Sequence, residues 1–334
     1  MDAQDYRRAY SLFMAVADLD ASARAQALDE ACGDDTALRT FVNQLLEDAT
    51  RSSVEDVVAR VTSVASGAIE LSIGARLLDR FEVRELLGRG GTSSVWRVRE
   101  TDVRQDHALK VLEQIGLTGQ ERMRRERAFQ DQVQHRNVVA VRELLEIQGR
   151  TALLTELVDG PDLSAFLREH ALTEPQVDAI ALGILSGVQA IHDAGILHRD
   201  IKPGNVLLSR EGSAFVPKVA DFGIALALDG APSQRLTQTG AWIGTLAYMS
   251  PEQIRKARAV DPRADVWAVG CLLYRMVTGR EAFAGADNGE TLTAILGGRR
   301  PELPSGLPDR WRVAIDAALR PDPDARPESC AALR

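Results

Sequence analysis

Along the first 50 residues the apolar positions recur at helical spacing. Tyr6, Tyr10, Phe13, Met14 and Ala17 share one stripe, and Leu38, Phe41, Val42, Leu45 and Leu46 form another that Asp34 or Asp35 can cap. The pattern predicts a helical module over residues 1–50 and a connector over 51–80, whose Ser/Val-rich part up to Ile73 reads as a weak helix. From Phe81 the period shortens to two. Short β-type runs follow at Phe81, Val83 and Leu86, at Val95, Trp96 and Val98, and at Ala108 to Leu112, separated by Gly-rich or polar turns. Residues 122–133 return to a helical period, 138–147 and 151–157 read as two further strands, and helical patterns dominate after Asp162.

The expected class is therefore α+β, with a small, mostly β lobe over about 81–157 and a larger, mostly α lobe over about 158–334, behind the helical module. A length of 334 residues has room for that arrangement. Only eight residues follow Arg326, so the last helix is expected to be cut short or unusually brief.

Charge narrows the choice of partner. Lys+Arg 40 against Asp+Glu 48 leaves a net charge of −8, and residues 1–80, with 14 acidic and 8 basic side chains, carry most of it. Such a balance disfavours a general nucleic-acid or anionic-membrane binder. The longest apolar stretches, 179–191 and 266–277, are too short to span a bilayer. Cys32, Cys271 and Cys330 lie far apart, which fits a reducing, cytoplasmic setting without structural zinc. Lysine occurs only at Lys110, Lys202, Lys218 and Lys256, the other 36 basic residues being arginine. A position that keeps lysine in such a chain is a candidate for needing a compact point charge.

The candidate chemistry begins at Leu87-Gly88-Arg89-Gly90-Gly91-Thr92-Ser93, a glycine-rich turn between two strands where a backbone can approach phosphate oxygens. A strand follows it, not a helix, which argues against a Walker or dinucleotide-binding site. Lys110 ends the strand His107-Ala108-Leu109-Lys110 on the face of Ala108. Glu126 shares an arc of about 120° with Met123, Phe129 and Val133, so it needs a cationic partner, and Lys110 is the candidate.

Leu197-His198-Arg199-Asp200-Ile201-Lys202-Pro203-Gly204-Asn205, followed by Asp221-Phe222-Gly223 and Ser250-Pro251-Glu252, resembles the eukaryotic-like protein kinases that bacteria carry as Hanks-type serine/threonine kinases. The likeness covers Phe81 to the end and implies the bilobal kinase fold. It implies that Leu87, Gly88, Gly90, Val95 and Ala108 enclose ATP, with Glu156 and Val158 of the hinge after the gatekeeper Thr155 holding the adenine. Lys110, paired with Glu126, would hold the α- and β-phosphates. Asp200 would orient the substrate hydroxyl, Lys202 would clamp the transferred phosphate, and Asn205 and Asp221 would hold Mg²⁺, with Mn²⁺ as an alternative. Lys202 and the Gly244-Thr245 pair point to serine/threonine acceptors in protein substrates, the enzyme itself among them; dimerisation is left open.

The resemblance also implies that Asp265 buttresses the catalytic loop and that Arg326 pairs with Glu252. Arg199 is expected to grip a phosphate formed on Thr237 or Thr239. Three positions depart from the pattern: Ser93 for the third loop glycine, His107 for an apolar residue, and Ser250 for alanine. The front module resembles, more weakly, the helical leader before the kinase domain of some large multidomain bacterial kinases. Two rivals are a pseudokinase, opposed by the complete set Lys110, Glu126, Asp200, Asn205 and Asp221, and a small-molecule phosphotransferase, opposed by Ser250-Pro251-Glu252.

Overall fold

The computed structural model describes residues 12, 13, 16, 21–33, 35–51, 71–90, 93–112, 133–212, 214–222, 246–255 and 260–334. Helices α1 (Ala21–Cys32) and α2 (Thr36–Arg51) lie in the front module. Of the two aspartates able to cap the second, Asp35 does so, its Oδ1 accepting from Leu38 N at 3.0 Å. Phe13, Val16, Leu28, Cys32, Leu38 and Val42 form a small core of their own.

Six strands form one antiparallel sheet in the order β1-β2-β3-β4-β6-β5. They are β1 (Arg76–Leu77), β2 (Phe81–Arg89), β3 (Ser93–Glu100), β4 (Gln105–Leu112), β5 (Val141–Ile147) and β6 (Arg150–Glu156). The sheet begins ahead of residue 81, because β1 pairs with β2 and Leu71 and Leu77 are buried with Phe81, Trp96, Val98, Leu109 and Leu154 on one face. Alternation puts Val95, Ala108 and Lys110 on the other face: Val95 lies opposite Lys110, and Ala108 opposite Thr155. Residues 122–132, expected to be helical, lie outside the described residues, as does the connector up to residue 70; Val133 is buried without helical conformation.

Helices α3 (Leu163–Glu169), α4 (Glu174–Asp193), α5 (Pro251–Arg255), α6 (Arg263–Thr278), α7 (Asn288–Gly297), α8 (Asp309–Ala318) and α9 (Cys330–Leu333) make the larger lobe. α9 is one short turn. A hairpin of β7 (Val206–Glu211) and β8 (Ala214–Val219) interrupts the helical pattern and was not anticipated. None of the helices among the described residues is long and apolar enough to cross a membrane.

α4 buries Val177, Ile180, Ile184, Val188 and Ile191 at helical spacing. Gly187 lets this helix press on the segment before β5, where a Cβ would lie 2.4 Å from Asn137 O. That segment is stitched to β8, with Val219 N donating to Asn137 O at 2.8 Å and Val139 N to Val219 O at 2.9 Å. At the far end of α4, Gly195 adopts a left-handed conformation, φ 76°, and turns the chain straight into the loop 198–205.

α6 is buried nearly all round, from Ala264 to Met276. A helix with no solvent face is expected to be apolar, so its buried Asp265 needs partners. It has three: the N–H groups of His198 and Arg199, each at 2.8 Å, and His192 Nε2, also at 2.8 Å. Burial alone would raise the carboxyl's pKa; the hydrogen bonds of His192 and the Arg199 amide outweigh it and hold the group below the usual carboxylate range. Nearby, the fully buried Arg326 forms a two-pronged pair with Glu252 at 2.7 and 2.9 Å and stacks over Trp267 with 4.8 Å to the ring centroid.

These contacts set two outcomes. Arg326→Met, which leaves Glu252 without its cation, should cost about 3–5 kcal/mol in urea unfolding; a loss under about 1 kcal/mol would show that the pair does not clamp α5 to α6. Asp265→Ala strands two buried amides and should cost about 1–3 kcal/mol for each. Because the folded carboxyl is depressed, its contribution is complete above the unfolded pKa of about 3.9 and is lost as pH falls through the folded value. The gap between wild type and Asp265→Ala should therefore be constant near neutrality and narrow under strongly acidic conditions; a gap that widens on acidification would refute it.

Candidate active site

The loop that Asp265 pins carries three of the candidate residues, Asp200, Lys202 and Asn205. Arg199 sits at φ 65°, a left-handed conformation that strains a residue with a side chain, and both of its backbone polar groups are held: N–H by Asp265, C=O by Gln253 Nε2 at 2.9 Å. His198 Nδ1 accepts from Asp200 N at 3.3 Å, which leaves Nε2 to donate to Ala220 O at 2.9 Å. The histidine thus ties the loop to the residue before Asp221. Ala220 N closes the connection by donating to Asn205 O at 2.9 Å.

Asp200 is the best-held carboxylate of the cleft. Lys202 Nζ lies 2.9 Å from Oδ2 and 3.2 Å from Oδ1, and Asn205 Nδ2 donates to Oδ2 at 3.0 Å and to the Asp200 carbonyl at 2.7 Å. With its nitrogen so committed, Asn205 keeps its oxygen for another partner. Asp200 and Lys202 remain about 30% exposed, so the pair faces the cleft.

Asp221 also has a left-handed φ of 65°. Its Oδ2 lies 2.6 Å from Lys110 Nζ, an ion pair from the large lobe to the small one. Burial would raise the Asp221 pKa, but the Lys110 charge and hydrogen bond, with the charge of Lys202, outweigh it and lower it, so the group is anionic near neutral pH. Phe222 follows, buried in the large-lobe core. Glu126, the partner expected for Lys110, lies outside the described residues; among the described residues Lys110 meets Asp221.

Around the cleft, Leu87 is exposed on the β2 side of the glycine-rich turn and Gly90 N donates to Ser93 O at 2.8 Å. A Cβ at Gly88 would meet nothing within 4 Å, so packing within the chain does not require a glycine there. Thr155 Oγ1 donates to Glu156 O at 3.2 Å at the end of β6, and Val158 follows, half-buried. Thr237, Thr239 and Thr245 lie outside the described residues. Arg199 Nε is buried and has no hydrogen-bond partner among the described residues.

Two contributors escaped the sequence reading. His192 supports Asp265 from the end of α4, and nothing in a lone histidine on a helix signals that. Lys218 meets Glu156 at 2.9 Å, for which the scarcity of lysine was the available hint.

The profile of the protein kinase domain matches residues 81–334. The serine/threonine-protein kinase PkaA of Streptomyces coelicolor is 37% identical over 265 residues, covering 75% of this chain and 48% of that protein. The serine/threonine-protein kinase PknE of Mycobacterium bovis is 33% identical over 260 residues, 76% of this chain and 44% of its own length. The chain thus spans under half the length of these two relatives. The crystal structure of the Mycobacterium tuberculosis PknI kinase domain superposes with a TM-score of 0.63 at 24% identity, covering 79% of this chain and 96% of that one, which shows the shared fold. Matched by that profile over most of its length, the chain belongs to the protein kinase domain family, among the bacterial serine/threonine kinases of Hanks type.

Proposed function

We propose that this chain transfers the γ-phosphoryl group of ATP to serine and threonine hydroxyls of protein substrates. The observation that carries the reading is the state of Asp200: a carboxylate open to the cleft, with Oδ2 occupied by Lys202 and Asn205 and Oδ1 the freer oxygen. Such a group can accept the hydrogen bond of an incoming hydroxyl and take its proton as the phosphoryl group moves. Lys202 balances that carboxylate and is placed to meet the transferred phosphate. Lys110 would exchange part of its contact with Asp221 for the α- and β-phosphates.

The family uses ATP with a divalent metal. The Asp221 carboxylate and the free Asn205 oxygen are hard donors that suit Mg²⁺, which takes few protein ligands and fills its shell with phosphate and water oxygens. Bound there, the metal would neutralise phosphate charge. Adenine would lie between Val95 and Ala108 above, and meet the backbone of Glu156 and Val158 at its edge. Leu87, Gly88 and Gly90 would cover the phosphates. We take residues 81–334 as the kinase domain, with 71–80 packed against its small lobe, residues 1–50 as a helical module, and the cytoplasm as its setting.

Arg199 supports a second part of the reading, phosphorylation of the enzyme's own activation segment at Thr237 or Thr239. Its guanidinium has a buried nitrogen in want of an acceptor, and a phosphate would supply one with full charge.

Incubation with Mg-ATP and a generic protein acceptor tests the assignment. Asp200→Asn and Lys110→Met should each lower transfer at least about a hundredfold while the proteins stay folded by circular dichroism; wild-type transfer by either would remove the residue from the site. Thr237→Ala/Thr239→Ala should lower activity relative to phosphorylated wild type and match the dephosphorylated enzyme. Equal activity of the double variant and phosphorylated wild type would end the regulatory reading and leave the kinase assignment intact.

A further inference from the structure

Three of the chain's four lysines lie among the described residues, and each meets a carboxylate: Lys110 with Asp221, Lys202 with Asp200, and Lys218 with Glu156. The first two belong to the phosphate end. The third has no part in the mechanism above. We propose that Lys218 is a positioning residue for the nucleotide, holding the adenine-binding end of β6 to β8, the strand that leads to Asp221.

The geometry is specific. Glu156 Oε1 accepts two hydrogen bonds, from Lys218 Nζ at 2.9 Å and from Ala140 N at 2.8 Å, while Glu156 N donates to Ala140 O at 2.9 Å. Both side chains are largely shielded, at 16% and 23% exposure, so water screens the pair less than it would at the surface. Lys218 lies in β8, which is already stitched to residues 137–139. Three residues later on the same strand direction comes Asp221.

The consequence is a pair of cross-lobe contacts of opposite polarity. The large lobe offers a cation at Lys218 to the small-lobe sheet's Glu156, and an anion at Asp221 to that sheet's Lys110. Resting on the proposed ATP site, a nucleotide would loosen the Lys110 contact by drawing the ammonium to its phosphates. The Lys218 contact sits at the other end, where no phosphate competes, and can persist through the cycle. It keeps the backbone of Glu156 and Val158 in place for the adenine edge. A single carboxylate oxygen already shared with a backbone amide suits a point ammonium better than a planar fork, which accounts for lysine in a chain that otherwise favours arginine.

The test measures Mg-ATP affinity by calorimetry and steady-state kinetics in the full chain for wild type, Lys218→Met, Lys218→Arg and Lys218→Met/Glu156→Gln. Lys218→Met should raise KM for ATP and Kd for Mg-ATP about five- to tenfold with kcat within about twofold and KM for the protein acceptor unmoved. Lys218→Arg should recover part of the affinity. The double variant should be no weaker than Lys218→Met, because the two groups act through one contact. A merely structural role would instead lower the melting temperature and the active fraction, hence kcat, with KM unchanged, and that result would overturn the proposal. So would equal Kd in wild type and Lys218→Met, or additive losses in the double variant. Wild-type protein that binds no Mg-ATP would overturn the underlying site as well, which separates the two failures.

Discussion

A carboxylate buried in a helix that has no solvent face organises the catalytic half of this molecule. Asp265 cannot be there for packing, since an apolar residue would fill α6 without the cost of removing a charge from water. What it contributes is a pair of acceptor oxygens aimed at two successive backbone amides of the loop 198–205. Those bonds hold Arg199 in its left-handed conformation, which in turn sets where Asp200 points. The ring of His192 donates a further hydrogen bond to the carboxylate, so the anchor rests on α4 as well as α6. The loop and two helices are connected through one side chain.

Much of this was legible from the sequence, for different reasons in different places. The strands of the small lobe showed themselves because one face is buried, giving the alternation Phe81, Val83 and Trp96, Val98. The residues proposed to act on phosphate could be named from the sequence because phosphoryl transfer would need particular groups in a fixed chain order, and Lys110, Asp200, Lys202, Asn205 and Asp221 have that chemistry and order. The β7–β8 hairpin stayed hidden: Pro217 sits within β8 and cannot donate to a ladder, and six-residue strands inside a helical region leave too short a pattern to detect. The Lys218–Glu156 contact joins residues 62 apart in sequence. No local period can reveal it. The start of the sheet at Arg76 was missed because two residues of strand carry no alternation at all.

Arginine and lysine divide the work of positive charge here in a way that follows their chemistry. Where a planar fork is useful the chain has arginine: Arg326 grips both oxygens of Glu252 and three backbone carbonyls, and Arg99 takes both oxygens of Asp106, which with Arg97 holds that carboxyl at about 2. These are contacts that should not move. Lys110 and Lys202 each meet a carboxylate through a compact ammonium, a point charge that can be shared between protein and ligand oxygens, whereas Lys218 stays with Glu156. A guanidinium locked on two oxygens would resist that exchange.

Two left-handed residues at the site, out of six non-glycine residues with positive φ among the described residues, sharpen the same point. Arg199 and Asp221 each adopt φ 65° without being glycine, a conformation that costs on the order of 1–2 kcal/mol per residue. They flank the site, one before Asp200 and one at the lysine-paired carboxylate, and both are joined through His198, whose ring bonds Asp200 N and Ala220 O. Strain at two positions linked by one side chain is held by a shared set of contacts: Asp265 and Gln253 on one side, Lys110 on the other. Because Lys110 belongs to the small lobe, the conformation of Asp221 depends on how the lobes meet, whereas that of Arg199 depends on the large lobe alone. The loop bearing Asp200 can thus stay fixed while Asp221 responds to closure of the cleft, a division of labour that follows from where each strained residue finds its partners.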